Sequence, residues 1–345
     1  MTSFQSRRDF LKVSYRVGVG LTAPAWITAC GGSDDDPDTP TVEETFVEAP
    51  RLMSQNGLLE VTMHFAYAEH TLDGKSVHLR SIDGGLPGPT LQVRAGDMLR
   101  INVHNDLPPN PASTEPTVHL RYPNSANLHT HGLHVPPGVL RPGVYGDYVV
   151  DDYREGIQPG QRRQHEYDIS PDHPAGTYWY HPHLHGSTAM QVGSGMAGGL
   201  IITGPIDDVP EIAAARDRLF LFQAPIFNDA GELESFSQVA DSEAEPPFRI
   251  NGVRRPRLVM RPGEVQKWRF VNAGITNFLN LALDDHDLHL YAWDGNPRAA
   301  LQPYGAQSGQ GVVLAPGNRA DVLVQAGQPG TYYLRTLAYD MGHAE

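Results

Sequence analysis

The chain has 345 residues, a length suited to about two domains, and its 40% hydrophobic content allows sizeable cores. A formal net charge of -14 argues against nucleic acid as a partner. With 35 glycines and 29 prolines among short apolar runs, the composition favours a turn-rich β protein over a helical one.

The N-terminal stretch "SRRDFLK" (residues 6–12) matches a twin-arginine export signal, with Arg7 and Arg8 followed by Phe10 and Leu11. Residues 13–26 are moderately apolar but interrupted by Arg16, and are too short to span a membrane. "ITAC" (27–30) then resembles a bacterial lipoprotein cleavage box. Residues 1–29 are therefore expected to be a signal segment, Cys30 a lipidation site, and residues 30–48 an acidic tether. The expected location is the bacterial cell envelope or periplasm, with membrane attachment only through the lipid. Cys30 is the only cysteine, so the domains beyond it hold neither a disulfide nor a thiolate metal ligand.

Past the tether the chain repeats itself. "PTLQVRAGDMLRINVHN" (89–105) aligns without gaps on "PRLVMRPGEVQKWRFVN" (256–272), matching Asp97 to Glu264 and Asn105 to Asn272. "AGTYWYHPH" (175–183) aligns on "PGTYYLRTL" (329–337). The unit is about 150 residues, which makes a tandem of two related domains and not a short-period solenoid. Alternating β-branched and aromatic runs between Gly/Pro turns predict an all-β chain of two sandwiches, 49–205 and 206–345. "PEIAAARDR" near the boundary is the exception and suits a turn of helix.

Histidine distribution carries the chemical signal. Of 16 histidines, eight lie between His129 and His185, in "NLHTHGLH" (127–134) and "YHPHLHG" (180–186) among others. In a strand, residues i and i+2 face one side about 6–7 Å apart. Each HxH pair thus aims two imidazoles into one space, a spacing suited to neighbouring metal ions; imidazole suits copper, zinc, iron and nickel. An isolated HxH is more often a half-buried polar face. Here the repeat acts as a control: His129 aligns with Ala282, His131 with Asp284, His181 with Arg335 and His183 with Leu337. The fold unit does not need these histidines. Pro182 cannot donate to a ladder, so its strand is expected to end near Tyr180. His185 is read as outside the ligand set, His134, His165 and His173 as surface or loop residues, and His286 and His289 as structural.

"NLHTHGLHV", "GTYWYHPHLHG" and "GSGMAGGLIITG" resemble the first copper motifs of multicopper oxidases, and "RPGEVQKWRFVNAG" with "LAPGNRADVLV" resembles that family's second domain. The resemblance spans roughly residues 50–345. It implies tandem cupredoxin-like Greek-key β-sandwiches, the first with two copper motifs and the second without copper ligands. It further implies oxidation of a small reducing substrate (phenol-like or a metal ion) by single electrons, with dioxygen reduced to water at a three-copper cluster. His129 would bind the type 2 copper, and His131, His181 and His183 the paired type 3 coppers. Asp147, in a long loop after the first pair, is the candidate for proton delivery; a solvated loop aspartate is the equal alternative. The family's third domain, with its type 1 copper motif, is not found before Glu345. The chain is therefore expected to be a partial sequence, inactive by itself. The alternative readings are a non-enzymatic copper-binding envelope lipoprotein and a structural sandwich with relic histidines.

Overall fold

The computed structural model describes residues 8–15, 44–111, 122–149, 153–240, 246–305 and 308–340. Arg7, Cys30 and the greater part of the expected signal segment and tether lie outside the described residues. Within that segment, Arg8–Tyr15 forms a strand, parallel to Arg257–Met260 and antiparallel to Thr331–Thr336.

Strands dominate, and each half of the chain forms two sheets enclosing a core. In the first half one sheet runs, in spatial order, Arg51–Met53, Thr90–Arg94, Gly198–Thr203, Gly176–His181 and His129–His131. The facing sheet runs Lys75–Ile82, Leu58–Leu72, Met98–Asn105, Arg162–Asp168, Val144–Tyr145 and Val139–Arg141. Strict alternation in "LLEVTMHF" sends Leu59, Val61, Met63 and Phe65 inward and leaves Glu60, Thr62 and His64 outside. The inward set meets Leu91, Val93, Tyr178, Tyr180, Leu200 and Ile202 from the first sheet. The second half repeats the plan around Phe220, Trp268, Phe270, Leu281, Leu290, Val322 and Leu334.

The repeated sequence serves the same local purpose twice. Asp97 accepts from the Arg94 amide at 2.8 Å, and Glu264 from the Arg261 amide at 2.9 Å, closing equivalent glycine turns. Asn105 donates to the Asn124 and Ile157 carbonyls and accepts from the Leu107 amide. Asn272 donates to the Asn277 and Leu314 carbonyls and accepts from the Gly274 amide. Each is a buried amide tying a strand end to the loops beside it.

Gly176–His181 is buried at every position because it lies between two strands and also under the second sandwich. Trp179 and Ala197 pack there on Leu219, Leu221, Val271 and Ala273. Arg269, buried at the same junction, pairs with Asp217, Asp207 and Asp321. The strand runs to His181, one residue past the expected end, and stops where Pro182 has no N–H to offer. A short helix, Pro210–Ala214, stands at the junction as its sequence suggests.

Candidate metal centre

The two HxH segments are neighbours in one sheet. His129–His131 pairs antiparallel with Gly176–His181, and the register sets His129 directly across from His181 and His131 across from Trp179. Thr130, between the two histidines, points into the core. His183 follows two residues beyond His181, held by its amide donating to Asn127 Oδ1 at 2.6 Å.

Four imidazoles converge. Ring centroids are 5.1 Å apart for His129 and His183, 5.2 Å for His129 and His181, and 5.5 Å for His129 and His131. The His131–His181 and His181–His183 separations are 5.7 and 5.6 Å. One ring nitrogen from each of His129, His131 and His181 falls within 4.8 Å of the other two. Trp179 stacks on both His131, at 5.0 Å, and His181, at 4.2 Å, and forms a flat wall behind them.

Other ring nitrogens are already engaged, which fixes how the rings face. His181 Nδ1 donates to the Pro182 carbonyl at 2.9 Å, so Nε2 keeps its lone pair. That Nε2 lies 3.4 Å from His131 Nδ1. His129 Nδ1 donates to Asp147 Oδ2 at 2.9 Å, while Asp147 Oδ1 accepts from the Thr130 amide and hydroxyl at 2.8 and 3.1 Å. Asp147 thus clamps the first HxH segment, the usual way a carboxylate orients a metal-ligating imidazole. His183 Nδ1 is buried with no hydrogen-bond partner among the described residues, an orphaned lone pair or N–H that a bound ion would account for.

Electrostatics favour neutral rings and a resident anion. Burial, the Arg319 guanidinium and the neighbouring His129 push His131 down to about 3. Burial and then His129 drive His181 well below the ordinary imidazole value, and the same causes lower His183. Burial alone would raise the Asp147 carboxyl, but the His129 and Thr130 hydrogen bonds and the His129 charge outweigh it and hold it below its usual value. Neutral imidazoles with an adjacent carboxylate are the protonation state that metal binding requires.

Three features went unseen in the sequence. The second sandwich reaches the site through the loop before Arg319–Gln325. Gly317 sits against the His131 ring, where an added Cβ would lie 2.8 Å from Cε1. A Cβ at Gly132 would lie 2.3 Å from Arg319 Nη2, and Arg319 itself donates from Nε to the Thr177 carbonyl at 3.1 Å. His165 is the third, and it corrects an expectation. Read as a surface or loop residue, it lies fully buried on Arg162–Asp168, and its Nδ1 donates to the Gly146 carbonyl at 2.9 Å. It anchors the loop residue next to Asp147. Burial pushes it down to about 4. His173, also expected at a surface or loop, is in a loop but buried, with Nδ1 donating to the Pro174 carbonyl and Nε2 accepting the His134 amide at 3.0 Å. His134 and His185 are exposed. His286 is structural, bonded to the Asp284 carbonyl and the Gly327 amide.

Two family models, each described as multicopper oxidase, match residues 64–206 and 223–344. Laccase-3 of Botryotinia fuckeliana is 26% identical over 265 residues, which are 72% of this chain and 50% of the relative. Multicopper oxidase mco of Staphylococcus haemolyticus is 25% identical over 244 residues, covering 70% of this chain and 47% of the relative. The chain thus spans about half the length of these curated relatives. Among solved structures, a Campylobacter jejuni multicopper oxidase described as a metallo-oxidase superposes with a TM-score of 0.69 at 23% identity, covering 90% of this chain and 60% of that one. A laccase from Pediococcus acidilactici gives 0.68 at 23% identity, covering 86% and 60%. The shared fold is the tandem cupredoxin-like sandwich.

Proposed function

The chain belongs to the multicopper oxidase family, and from that premise we propose that its first sandwich supplies one side of a three-copper cluster at which dioxygen is reduced to water. His129 would hold the type 2 copper, and His131, His181 and His183 the type 3 pair. The observation that carries this reading is the convergence of four imidazoles from two adjacent strand ends, with Asp147 and the Pro182 carbonyl occupying the second nitrogens of His129 and His181. Bound copper would supply one-electron redox chemistry between a small reducing substrate, phenol-like or a metal ion, and dioxygen.

The protein's own contribution is positioning and charge. Trp179 and Gly317 confine His131 and His181 so that the rings cannot swing. Asp147, held as a carboxylate, offsets cationic charge beside His129 and gives protons a place to arrive at Oδ1 or Oδ2. Export by the twin-arginine route and lipid attachment at Cys30 complete the reading: the substrate is met in the cell envelope.

A second reading is a copper-binding envelope lipoprotein without turnover, for which the clustered ring nitrogens of His129, His131 and His181 would suffice. Equilibrium dialysis of the full chain against copper tests the site, and oxygen uptake with a phenol separates the readings. We expect copper bound through the four histidines, no oxygen uptake by the chain alone, and no intense blue absorption. Replacing all four histidines by alanine should remove this binding. An unchanged isotherm in that variant would mean the ligand assignment is wrong. Cys30→Ser should release the protein from membranes; unchanged fractionation leaves a cleaved export signal only.

A further inference from the structure

We propose that His64 and His104 form a separate, external site for one divalent transition-metal ion, copper(II) foremost, with Asp106 orienting His64 and water completing the coordination. His64 lies on Leu58–Leu72 and His104 on Met98–Asn105, both in the sheet packed across the core from the one that carries His129 and His181. The two strands run parallel and the register sets His64 directly beside His104. Both positions alternate with core residues, so both side chains emerge on the solvent face.

The geometry suits a shared ion. The ring centroids are 4.8 Å apart and inclined by 70°. Two imidazoles bound to one ion through nitrogens at about 2.0–2.1 Å hold their centroids about 4.5 Å apart at a right ligand angle and about 5.2 Å apart at a tetrahedral one. Ring pairs of the central cluster stand at 5.1–5.7 Å. The carboxylate arrangement is also repeated. His64 Nδ1 lies 2.5 Å from Asp106 Oδ2, as His129 Nδ1 lies 2.9 Å from Asp147 Oδ2. With Nδ1 donating, Nε2 of His64 presents its lone pair. Asp83 Oδ1 accepts the His64 amide at 2.7 Å and holds the backbone at that point.

Access and charge fit an exchangeable ion. The His64 and Asp106 side chains are 51% and 49% exposed. Burial, then Arg162 and His64, lower His104 from its ordinary value, while Asp106 opposes them. Arg162, paired across the next strand with His104, places a cation nearby and keeps the affinity below that of a site with more ligands. Imidazole ligands and the general order of divalent affinities select copper(II) over zinc and nickel.

The test is independent of the central cluster. The full chain is titrated with copper(II) in a weakly coordinating buffer, and histidine carbethoxylation is mapped by mass spectrometry at each concentration. We expect copper to protect His64 and His104 together, as a step separate from protection of His129 and His181. His64→Ala with His104→Ala should delete one ion per chain from the isotherm and leave the other steps in place. Asp106→Asn should weaken that step alone by about 10–100-fold. No protection at His64 and His104, an unchanged isotherm in the double variant, or an unaltered step in Asp106→Asn would each overturn the proposal, whatever the fate of the four-histidine reading.

Discussion

The strand pair that carries the histidines in the first sandwich has a counterpart in the second, and the two differ in what they hold. In the first, His129 faces His181 across the ladder. In the second, Ala282 faces Arg335 at the matching place, between Leu279–Leu283 and Thr331–Thr336. His131 and His181 approach at 3.4 Å; their counterparts Asp284 and Arg335 form a two-pronged ion pair, with Nε and Nη2 each 2.9 Å from a carboxylate oxygen. The second sandwich thus closes that end with an ordinary ion pair. Four imidazoles in its place give up that pairing and leave His183 Nδ1 without a hydrogen-bond partner among the described residues. That cost to satisfaction is the physical contrast on which the proposed copper site rests.

That contrast can be broken at either end. His181→Ala should have the largest effect: copper bound by the four-histidine site falls away, while Arg335→Ala leaves it intact. Metal analysis on the two variants measures this directly, and equal copper loss in both would erase the distinction between the sandwiches.

The next effect is read from pH. His165 sits at about 4 in the folded chain against an ordinary value near 6.5. Above pH 6.5 it is neutral whether folded or unfolded and costs nothing. As pH falls through 6.5 the unfolded chain takes up a proton that the folded chain refuses, so stability drops until about pH 4, by on the order of 3 kcal/mol. His165→Asn can place an amide donor where Nδ1 was without titrating. Denaturation of the metal-free proteins across pH 4–7 should show a shallower loss for the variant; parallel curves would deny His165 this part.

Asp147→Asn sharpens the comparison inside the first sandwich. It keeps the shape but removes the anion beside His129, and copper affinity should fall about 10–100-fold, as followed by competition with a chelator. Asp284→Asn, in the ion pair of the second sandwich, should cost only about 1 kcal/mol of stability and no copper. The smallest effect is expected for His185→Ala. That residue shares the alternation of "YHPHLHG" but is exposed, and its copper isotherm should match the wild type.

What could be read from residues alone was whatever depends on local period and composition. Alternation in residues 58–65, the glycine turns at Asp97 and Glu264, and the two HxH motifs are short-range patterns, and an all-β tandem follows from them. A spacing of two also says that paired imidazoles share a face, before any partner strand is known. Which strands lie side by side is a long-range matter, and the rest of the site depends on it. The register that sets His129 against His181 joins residues 52 positions apart. Asp147 reaches back to His129 from a loop whose Gly146 carbonyl is held by His165, buried in the facing sheet. Arg319 and Gly317 come to His131 from the other sandwich altogether. No periodicity encodes these meetings, because each is decided by which buried surfaces fit together once both sandwiches have formed.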